Sequence, residues 1–403
     1  MSSRFLSISH LLNPNPNFIS NLIKPNFLPF STTSFLRTKL PFTKKRKKNP
    51  SPRTKLIQAE SFRLHRFEEL VKREAVLQFV TRSKDYLSKQ PHRVIRLDDA
   101  GKLHREMGFP RGRKVVRSIE RHSLLFQTYR HVDGKMWIGF TDFMEELLEE
   151  ERVVMDSMEE DRVTKVRKLL MMSVNKRIPL SKIYHCRSLF GIPEDFRDRV
   201  VKYPNYFRVV VESDGKRILE LVDWDPKLAI STLERDFILE EDRVKRAFKF
   251  REKYTKSLHL DDDDRKKLNL LKTLPLVSPY SDGAELKLWS LEAEKYRLGV
   301  LHEFLNLTLE KRASIHHIVE FKEEFILTKH TYVMLLKQPR TFCLAGTEMN
   351  WAVFLREGYT KNGDLIEKDP QVVFNEKLYR YAQKNETEMG IGNNEERIDL
   401  KYR

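Results

Sequence analysis

Three stretches of the chain share one pattern of apolar and polar positions. Each begins with a Phe, continues as a short apolar run, turns at a glycine and resumes in a second apolar run. Strand-like residues on both sides of a two-residue Asp-Gly turn are a strong short-range signal for a β-hairpin. The predicted hairpins span 126–140 around Asp133-Gly134, 207–222 around Asp214-Gly215, and 342–355 around Gly346. Three hairpins of one type predict an internal repeat.

The residues ahead of each hairpin also correspond. Gly108-Phe109-Pro110 and Gly191-Ile192-Pro193 lie 18 and 16 residues before the first Phe of their hairpins, and Phe325-Ile326-Leu327 takes the equivalent place without Gly or Pro. Short amphipathic segments precede them, over 98–107, 180–190 and 314–324. Helix, turn, helix and hairpin is the order of a winged-helix module. The sequence predicts an α+β, helix-rich fold with three winged-helix-like units, at about 93–143, 178–224 and 313–359.

Longer helical patterns separate the predicted units. Apolar residues recur at helical spacing over 60–89, and the acidic start and basic end of 145–173 suit the helix dipole. The predicted helices between and around the units cover 60–89, 145–173, 228–254 and 285–312. A short helix is predicted over 370–383, and 111–121 is the second helix of the first unit. The tail, 386–403, is polar and is expected to be disordered.

The charge of the chain is unevenly distributed. The formal net charge is +17, but residues 1–59 contain eleven Lys or Arg and no Asp or Glu, which leaves +6 on the remainder. A binding face on the remainder must therefore come from local clustering of cations. No apolar run approaches the roughly 20 residues of a membrane helix, so we predict no membrane partner.

The first 59 residues are typical of an organelle transit peptide. They are rich in Ser, lack acids and end in the basic run 44–48. Arg4 beside an apolar stripe favours the mitochondrion over the chloroplast, which stays open. A nuclear signal is the alternative interpretation of the basic run.

The chain lacks the common catalytic motifs. No GxGxxG, GxxxxGK, GxSxG or HExxH pattern occurs. The two cysteines, Cys186 and Cys343, are expected to be buried thiols. His316 and His317 precede Glu320, but adjacent histidines point about 100° apart on a helix, so a surface or core-edge role is expected. Asp98-Asp99 is expected to cap a helix. We predict no catalytic residue, no metal, no cofactor and no small-molecule substrate.

Basic helix faces beside aromatic hairpins are the chemistry that remains. Lys and Arg neutralise phosphates, and aromatic rings stack on unpaired bases. Phe126, Phe207 and Phe342 are expected to be core residues rather than stacking residues. The predicted RNA-contacting cations are Arg111, Arg113, Lys114, Arg117, Arg121, Arg130, Lys182, Arg187, Arg197, Arg199, Lys202, Lys337 and Arg340. The predicted stacking residues are Tyr129, Trp137, Tyr206 and Trp351.

Four motifs together resemble the plant organelle RNA recognition (PORR) domain family. They are Lys-Tyr-Pro-x-x-Phe at 202–207, Gly-Phe-Pro-Arg-Gly-Arg at 108–113, Glu-Phe-Ile-Leu at 324–327 and Leu-Lys-Gln-Pro-Arg-Thr-Phe at 336–342. The resemblance covers about residues 60–385. It implies import into plastids or mitochondria and binding of organellar RNA, and members of the family promote group II intron splicing. Organellar intron RNA and other splicing-factor proteins are the implied partners, and no family motif fixes the RNA contacts.

Two other functions fit the residues alone. A DNA-binding, transcription-related protein could use winged-helix geometry, with a helix in the major groove. A scaffold within a splicing ribonucleoprotein could bind proteins without binding RNA. Preference for duplex DNA would favour the first, and salt-insensitive association with proteins without RNA affinity would favour the second.

Overall fold

The computed structural model of the protein describes residues 65–109, 114–235, 262–338, 341–346 and 351–384. Within these ranges, helices alternate with three small antiparallel sheets, which confirms the predicted α+β class. No helix of this part of the chain is long and apolar enough to cross a membrane. The predicted leader, 1–59, and the predicted tail, 386–403, lie outside the described residues.

The first sheet follows a long helix, α1 (His65–Ser88). Its strands and helices are β1 (Ile95–Arg96), α2 (Leu97–Ala100), α3 (Val115–Glu120), β2 (Phe126–Arg130) and β3 (Met136–Phe140). The strand order is β1-β3-β2, so the predicted hairpin gains a third strand from before α2. We call the segment from β1 to β3 the first unit.

Two helices connect the first sheet to the second. They are α4 (Asp142–Ser157) and α5 (Glu159–Met172), and the break between them at Met158 corrects the single helix predicted over 145–173. The second unit comprises β4 (Arg177–Pro179), α6 (Leu180–His185), α7 (Arg187–Phe190), α8 (Phe196–Arg199), β5 (Phe207–Val211) and β6 (Arg217–Leu221). Its strand order, β4-β6-β5, repeats that of the first unit.

The third unit again follows a long helix. The helices before it are α9 (Thr232–Arg235), α10 (Asp262–Thr273) and α11 (Leu291–Leu307). The unit comprises β7 (Arg312–Ser314), α12 (Ile315–Glu320), α13 (Thr331–Leu336), β8 (Phe342–Ala345) and β9 (Ala352–Leu355), and α14 (Pro370–Gln383) closes the described chain. The strand order is β7-β9-β8. Short 3-10 turns lie at Pro91–Arg93, Val174–Lys176, Val200–Lys202, Gly283–Glu285 and Arg356–Gly358.

Two further helix predictions need correction. The helix predicted over 98–107 is helical only at Leu97–Ala100, and Arg96, not Asp98 or Asp99, is its N-cap residue. Asp99 instead binds Lys102 at 2.9 Å. Of the helix predicted over 228–254, the described part is helical only at Thr232–Arg235, and 236–254 lie outside the described residues.

The same left-handed turn precedes the first strand of each unit. In each turn, a leucine carbonyl accepts a hydrogen bond from the amide three residues later: Leu87 from Gln90, Leu170 from Ser173 and Leu305 from Thr308. The carbonyls of Gln90, Ser173 and Thr308 accept in turn from the amides of Arg93, Lys176 and Lys311, and all six bonds are 2.9–3.3 Å long. Arg93, Lys176 and Lys311 all have positive φ, between 50° and 57°. The repeat therefore includes the long helix ahead of each sheet.

The first Phe of each hairpin has the structural role expected of it. Phe126 pairs with Phe140, Phe207 with Leu221, and Phe342 with Leu355, at the end of each hairpin that is farthest from its turn. All three Phe side chains are buried. They anchor the hairpins in the core and are not accessible to bases.

The three turn triplets share one backbone conformation. Gly108, Gly191 and Ile326 have φ of 71°, 68° and 51°, which shifts the third triplet by one residue, because Ile326 and not Phe325 takes the place of the two glycines. Glycine adopts positive φ at no steric cost, whereas a β-branched residue such as Ile326 is strained there. A side chain on Gly191 would in addition place its Cβ 2.7 Å from Nε of Arg162.

The second and third units pack against each other reciprocally. The amide of Val174 donates to the carbonyl of Glu324 (2.8 Å), and the amide of Leu309 donates to the carbonyl of Leu189 (2.7 Å). Val174 and Leu309 are 135 positions apart, and so are Leu189 and Glu324. Each unit therefore makes the same contact with the other, as in a pseudo-twofold dimer. One continuous core contains both units, and a separate core holds the first unit with α14.

Candidate nucleic-acid interface

Helix α3 presents three cations to solvent. Val115 and Ile119 are buried against the first sheet, while Lys114, Arg117 and Arg121 are exposed. Their spacing of three and four residues places them on one face. None of the three forms an ion pair within the part of the chain that the structure describes. We call Lys114, Arg117 and Arg121 the α3 basic face.

Two arginines that the sequence analysis missed lie at the Gly108 turn. Cδ of Arg82 is 3.0 Å from the place that a Cβ on Gly108 would take, and the carbonyl of Arg105 accepts from the Gly108 amide. Both side chains are exposed, and neither forms an ion pair with a described residue. The Phe79 ring contacts those of Phe109 and His122, which brings α1, the Gly108 turn and the end of α3 together. No sequence pattern marked Arg82, because it lies on a helix that serves as a connector.

His122 adds no charge to this surface at neutral pH. Burial lowers its pKa, a hydrogen bond from Nδ1 to the Ala382 carbonyl (2.6 Å) opposes that shift, and the charge of Arg121 adds to it. The imidazole therefore serves as a neutral link between the first unit and α14.

A row of cross-strand neighbours crosses the outer face of the first sheet. Trp137 pairs with Arg96 on one side and with Tyr129 on the other. The Arg96 guanidinium lies 5.5 Å from the Trp137 ring centroid, and Trp137 Nε1 donates to Asp133. The neighbours Ile95 and Ile138 are buried, so the row points away from the core. We call Arg96, Trp137 and Tyr129 the Arg-Trp-Tyr row.

This row is specific to the first unit. The equivalent positions are Pro179, Ile218 and Val210 in the second sheet and Ser314, Ala352 and Ala345 in the third. Arg130 lies beside the row at the hairpin end, is exposed, and donates from Nε to the Gly134 carbonyl at 3.2 Å. Arg96 was missed by the sequence analysis, because a strand of two residues has no detectable period.

Most predicted cations of the second unit are engaged within the protein. Lys182 binds Glu324 at 2.7 Å, and Arg199 binds Asp195 at 2.6 Å. Arg187 and Arg197 both lie over the ring of Tyr184, at 4.5 and 4.8 Å. Only Lys202 of this set is exposed without an ion pair to a described residue. Lys337 of the third unit is half-buried, and Arg111, Arg113 and Arg340 lie outside the described residues.

The other two predicted stacking residues, Tyr206 and Trp351, lie outside the first unit and contact other side chains. The Arg167 guanidinium lies 4.1 Å from the Tyr206 ring centroid, and Trp351 packs near Tyr332 at 6.4 Å. Both side chains are half-buried. The structure thus brings together Tyr129 and Trp137, and it leaves Tyr206 and Trp351 in separate intramolecular contacts.

Comparison with known proteins gives a consistent family. Residues 62–387 match the plant organelle RNA recognition domain. The chain is 36% identical over 325 residues to the chloroplastic protein WHAT'S THIS FACTOR 1 homolog of Oryza sativa subsp. japonica, covering 77% of this chain and 63% of the relative. It is 25% identical over 333 residues to the mitochondrial protein WHAT'S THIS FACTOR 9 of Arabidopsis thaliana, covering 79% and 82%. The chain thus spans less than two thirds of the first of these relatives. No solved structure matches the chain significantly.

Proposed function

Because this chain belongs to the plant organelle RNA recognition family, we propose that it binds RNA inside an organelle and promotes the splicing of a group II intron. The observation that carries the proposal is the α3 basic face, whose three exposed cations have no ion-pair partner in the described chain. Phosphates are the ligands that such a face suits. The protein would stabilise the folded intron, and catalysis would stay with the RNA.

Phosphate and base contacts divide between two surfaces in this proposal. Lys114, Arg117 and Arg121 would neutralise backbone phosphates, with Arg130 and Lys202 as further contacts. The Arg-Trp-Tyr row would stack on unpaired bases, because aromatic and guanidinium planes stack on any base. We further propose that the three units are winged-helix-like. Lys182, Arg187, Arg197 and Arg199 are left out because they already bind neighbouring side chains or stack on a tyrosine ring.

An organellar location agrees with both the leader and the relatives. The names of the relatives place them in the chloroplast or the mitochondrion. We propose that residues 1–59 direct import, that 60–385 form the RNA-binding region, and that 386–403 are a disordered tail. The mitochondrion is our preferred destination, because of Arg4 beside an apolar stripe.

Immunoprecipitation from purified mitochondria and chloroplasts, followed by sequencing of the co-purified RNA, tests this function. We expect strong enrichment of one or a few intron regions, and loss of splicing of the same introns when the protein is depleted. Recovery of splicing proteins without any enriched RNA would contradict RNA binding and favour the scaffold interpretation.

Reversal of charge on the α3 basic face should weaken binding of the enriched RNA. We expect Lys114→Glu/Arg117→Glu/Arg121→Glu to lower affinity and to reduce the slope of log affinity against log salt by about 2 to 3, since each lost phosphate contact removes about 0.7–0.9. Filter binding over a salt titration measures both. The matched control is Lys227→Glu/Lys322→Glu/Lys329→Glu, which makes the same change in net charge at exposed sites of the second and third units.

Equal losses in the two triple variants would contradict a specific α3 interface and indicate a response to net charge alone.

Trp137→Ala separately tests the Arg-Trp-Tyr row. We expect it to weaken binding of single-stranded RNA by roughly 1–3 kcal/mol with the salt slope unchanged, because a stacking contact releases no counterions. Stronger competition by duplex DNA than by the RNA would favour the DNA-binding alternative.

A further inference from the structure

Four potential metal ligands meet where the second and third units pack together. His185 and Cys186 stand at the end of α6, and His317 and Glu320 lie one turn apart on α12. The ligand atoms of His185, Cys186 and His317 all lie within 4.8 Å of one another. Oε2 of Glu320 lies 2.6 Å from Nδ1 of His185 and 3.4 Å from Sγ of Cys186, so the carboxylate borders this group.

One of these groups lacks a polar partner. Nδ1 of His317 is shielded from solvent and has no hydrogen-bond partner among the described residues. A buried polar atom left unpaired costs about 1–3 kcal/mol, and such atoms are rare without a reason. The His185 ring lies 5.4 Å from the His317 ring and has a side chain 64% exposed, which opens the group to solvent.

We propose that His185, Cys186, His317 and Glu320 bind a zinc ion that ties the second unit to the third. Imidazole, thiolate and carboxylate are the donors that tetrahedral zinc takes, whereas magnesium and calcium prefer oxygen donors. Zinc ligands about 2.0–2.3 Å from the metal lie roughly 3.3–3.8 Å apart. The ligand atoms of His185, Cys186 and His317 therefore need to close by only about 1 Å, and Oε2 of Glu320 needs to move about 0.7 Å away from Nδ1 of His185; side-chain rotation supplies both movements.

The position of the group follows from the pseudo-twofold packing. His185 and Glu320 are 135 positions apart, as are Lys182 and His317, so α6 and α12 contribute from equivalent places. Each unit supplies two ligands, and an ion held by all four would oppose separation of the units. Zinc binding at this site is independent of the proposed RNA binding, and it can be tested without RNA.

The sequence conceals this site for a simple reason. The last ligand of the first pair, Cys186, and the first ligand of the second pair, His317, are 131 residues apart. This is far outside the spacing of zinc motifs within one loop or helix. The histidine pair His316-His317 also misdirects, because His316 is exposed and only His317 faces the group. His316 therefore provides a matched control on the same helix.

Cobalt and zinc binding to the untagged full-length protein tests the proposal. We expect one equivalent of Co²⁺ to give a thiolate-to-cobalt charge-transfer band in the near ultraviolet, which Zn²⁺ removes by displacement. Cys186→Ser should abolish the band. His317→Gln should lower Zn²⁺ affinity by more than about 10-fold, and so should His185→Gln, which changes an exposed side chain. This is the smallest loss of metal affinity expected even when only an outer-shell partner of a ligand is removed. His316→Gln should bind as the parent does.

A parent protein without the thiolate band, or His317→Gln and His185→Gln variants that bind zinc as tightly as His316→Gln, would overturn the proposal. Because Cys186 is fully buried, loss of the band in Cys186→Ser is interpreted only with far-ultraviolet circular dichroism equal to the parent. His185→Gln changes an exposed side chain and keeps the test decisive if Cys186→Ser fails to fold. Zinc should also raise the melting temperature of the parent and of His316→Gln but not of His317→Gln.

Discussion

The Asp369→Asn variant should lose about 3 kcal/mol of the free energy of unfolding. The carboxylate of Asp369 accepts from both terminal nitrogens of Arg162, at 2.7 and 2.8 Å, and the Arg162 side chain is 2% exposed. Breaking a buried ion pair destabilises by about 3–5 kcal/mol, because one charge stays buried without its partner. We expect the lower end of that range, because Asp161, which is more exposed, still binds Arg162 at 2.8 Å.

The same carboxylate makes stability depend on acid pH. Burial alone would raise the pKa of Asp369, but the Arg162 hydrogen bond, the Gln371 amide and the charge of Lys165 outweigh it and lower the pKa to about 2. A carboxyl group with a depressed pKa contributes stability above its unfolded pKa, near 3.9, and loses it as the pH falls through the folded value. The difference between parent and variant should therefore shrink as the pH falls from about 4 towards 2.

Denaturant unfolding at several pH values measures both effects. Asn keeps the N-cap function of Asp369, whose side chain accepts from the Gln371 amide at the start of α14. The matched control is Asp282→Asn, because Asp282 caps Gly283–Glu285 in the same way, is exposed, and has no ion pair with a described residue. Similar losses in the two variants would show that the buried ion pair contributes little.

The Glu303→Gln variant should lose about 3–5 kcal/mol. The Glu303 side chain is 1% exposed and accepts from Lys168 Nζ, Tyr280 Oη and the Thr232 amide, at 2.7–2.8 Å. Burial alone would raise its pKa, but the charge and hydrogen bond of Lys168 outweigh it, so the pKa is lowered and the group is ionised at neutral pH. Gln removes the charge that compensates the buried Lys168 ammonium, which also donates to the Ile230 carbonyl at 3.5 Å.

A second substitution distinguishes a stranded charge from lost packing. We expect Lys168→Met/Glu303→Gln to regain much of the lost stability, because the ammonium is removed and the amide oxygen still accepts from Tyr280 or Thr232. Urea unfolding of the parent, both single variants and the double variant closes the cycle. Additive losses would contradict the interpretation, because independent sites add and coupled charges do not.

The sequence by itself determined the local structure of the repeats. Alternation around Asp133-Gly134 and Asp214-Gly215 predicts hairpins, because strand pairing across a two-residue turn depends on neighbouring residues alone. The burial of Phe126, Phe207 and Phe342 followed from their equivalent places in the repeat. The exposure of Arg117 and Arg121, both predicted to contact RNA, agrees with their spacing of four residues along the helix predicted over 111–121. The family followed from four motifs distributed along the chain.

The tertiary structure decided which of the other cations are free. Lys182 is as much a lone cation in the sequence as Arg117, but its partner Glu324 comes from an element 142 positions later. The first strand of each unit is two or three residues long, too short for a period, and its pairing depends on a hairpin about 30 to 40 residues later. Arg162 and Asp369 meet across 207 positions, and the group of His185, Cys186 and His317 forms only when two units pack. Local patterns determine which face of an element is apolar, whereas charge pairing and ligand clusters depend on which faces the folded chain brings together.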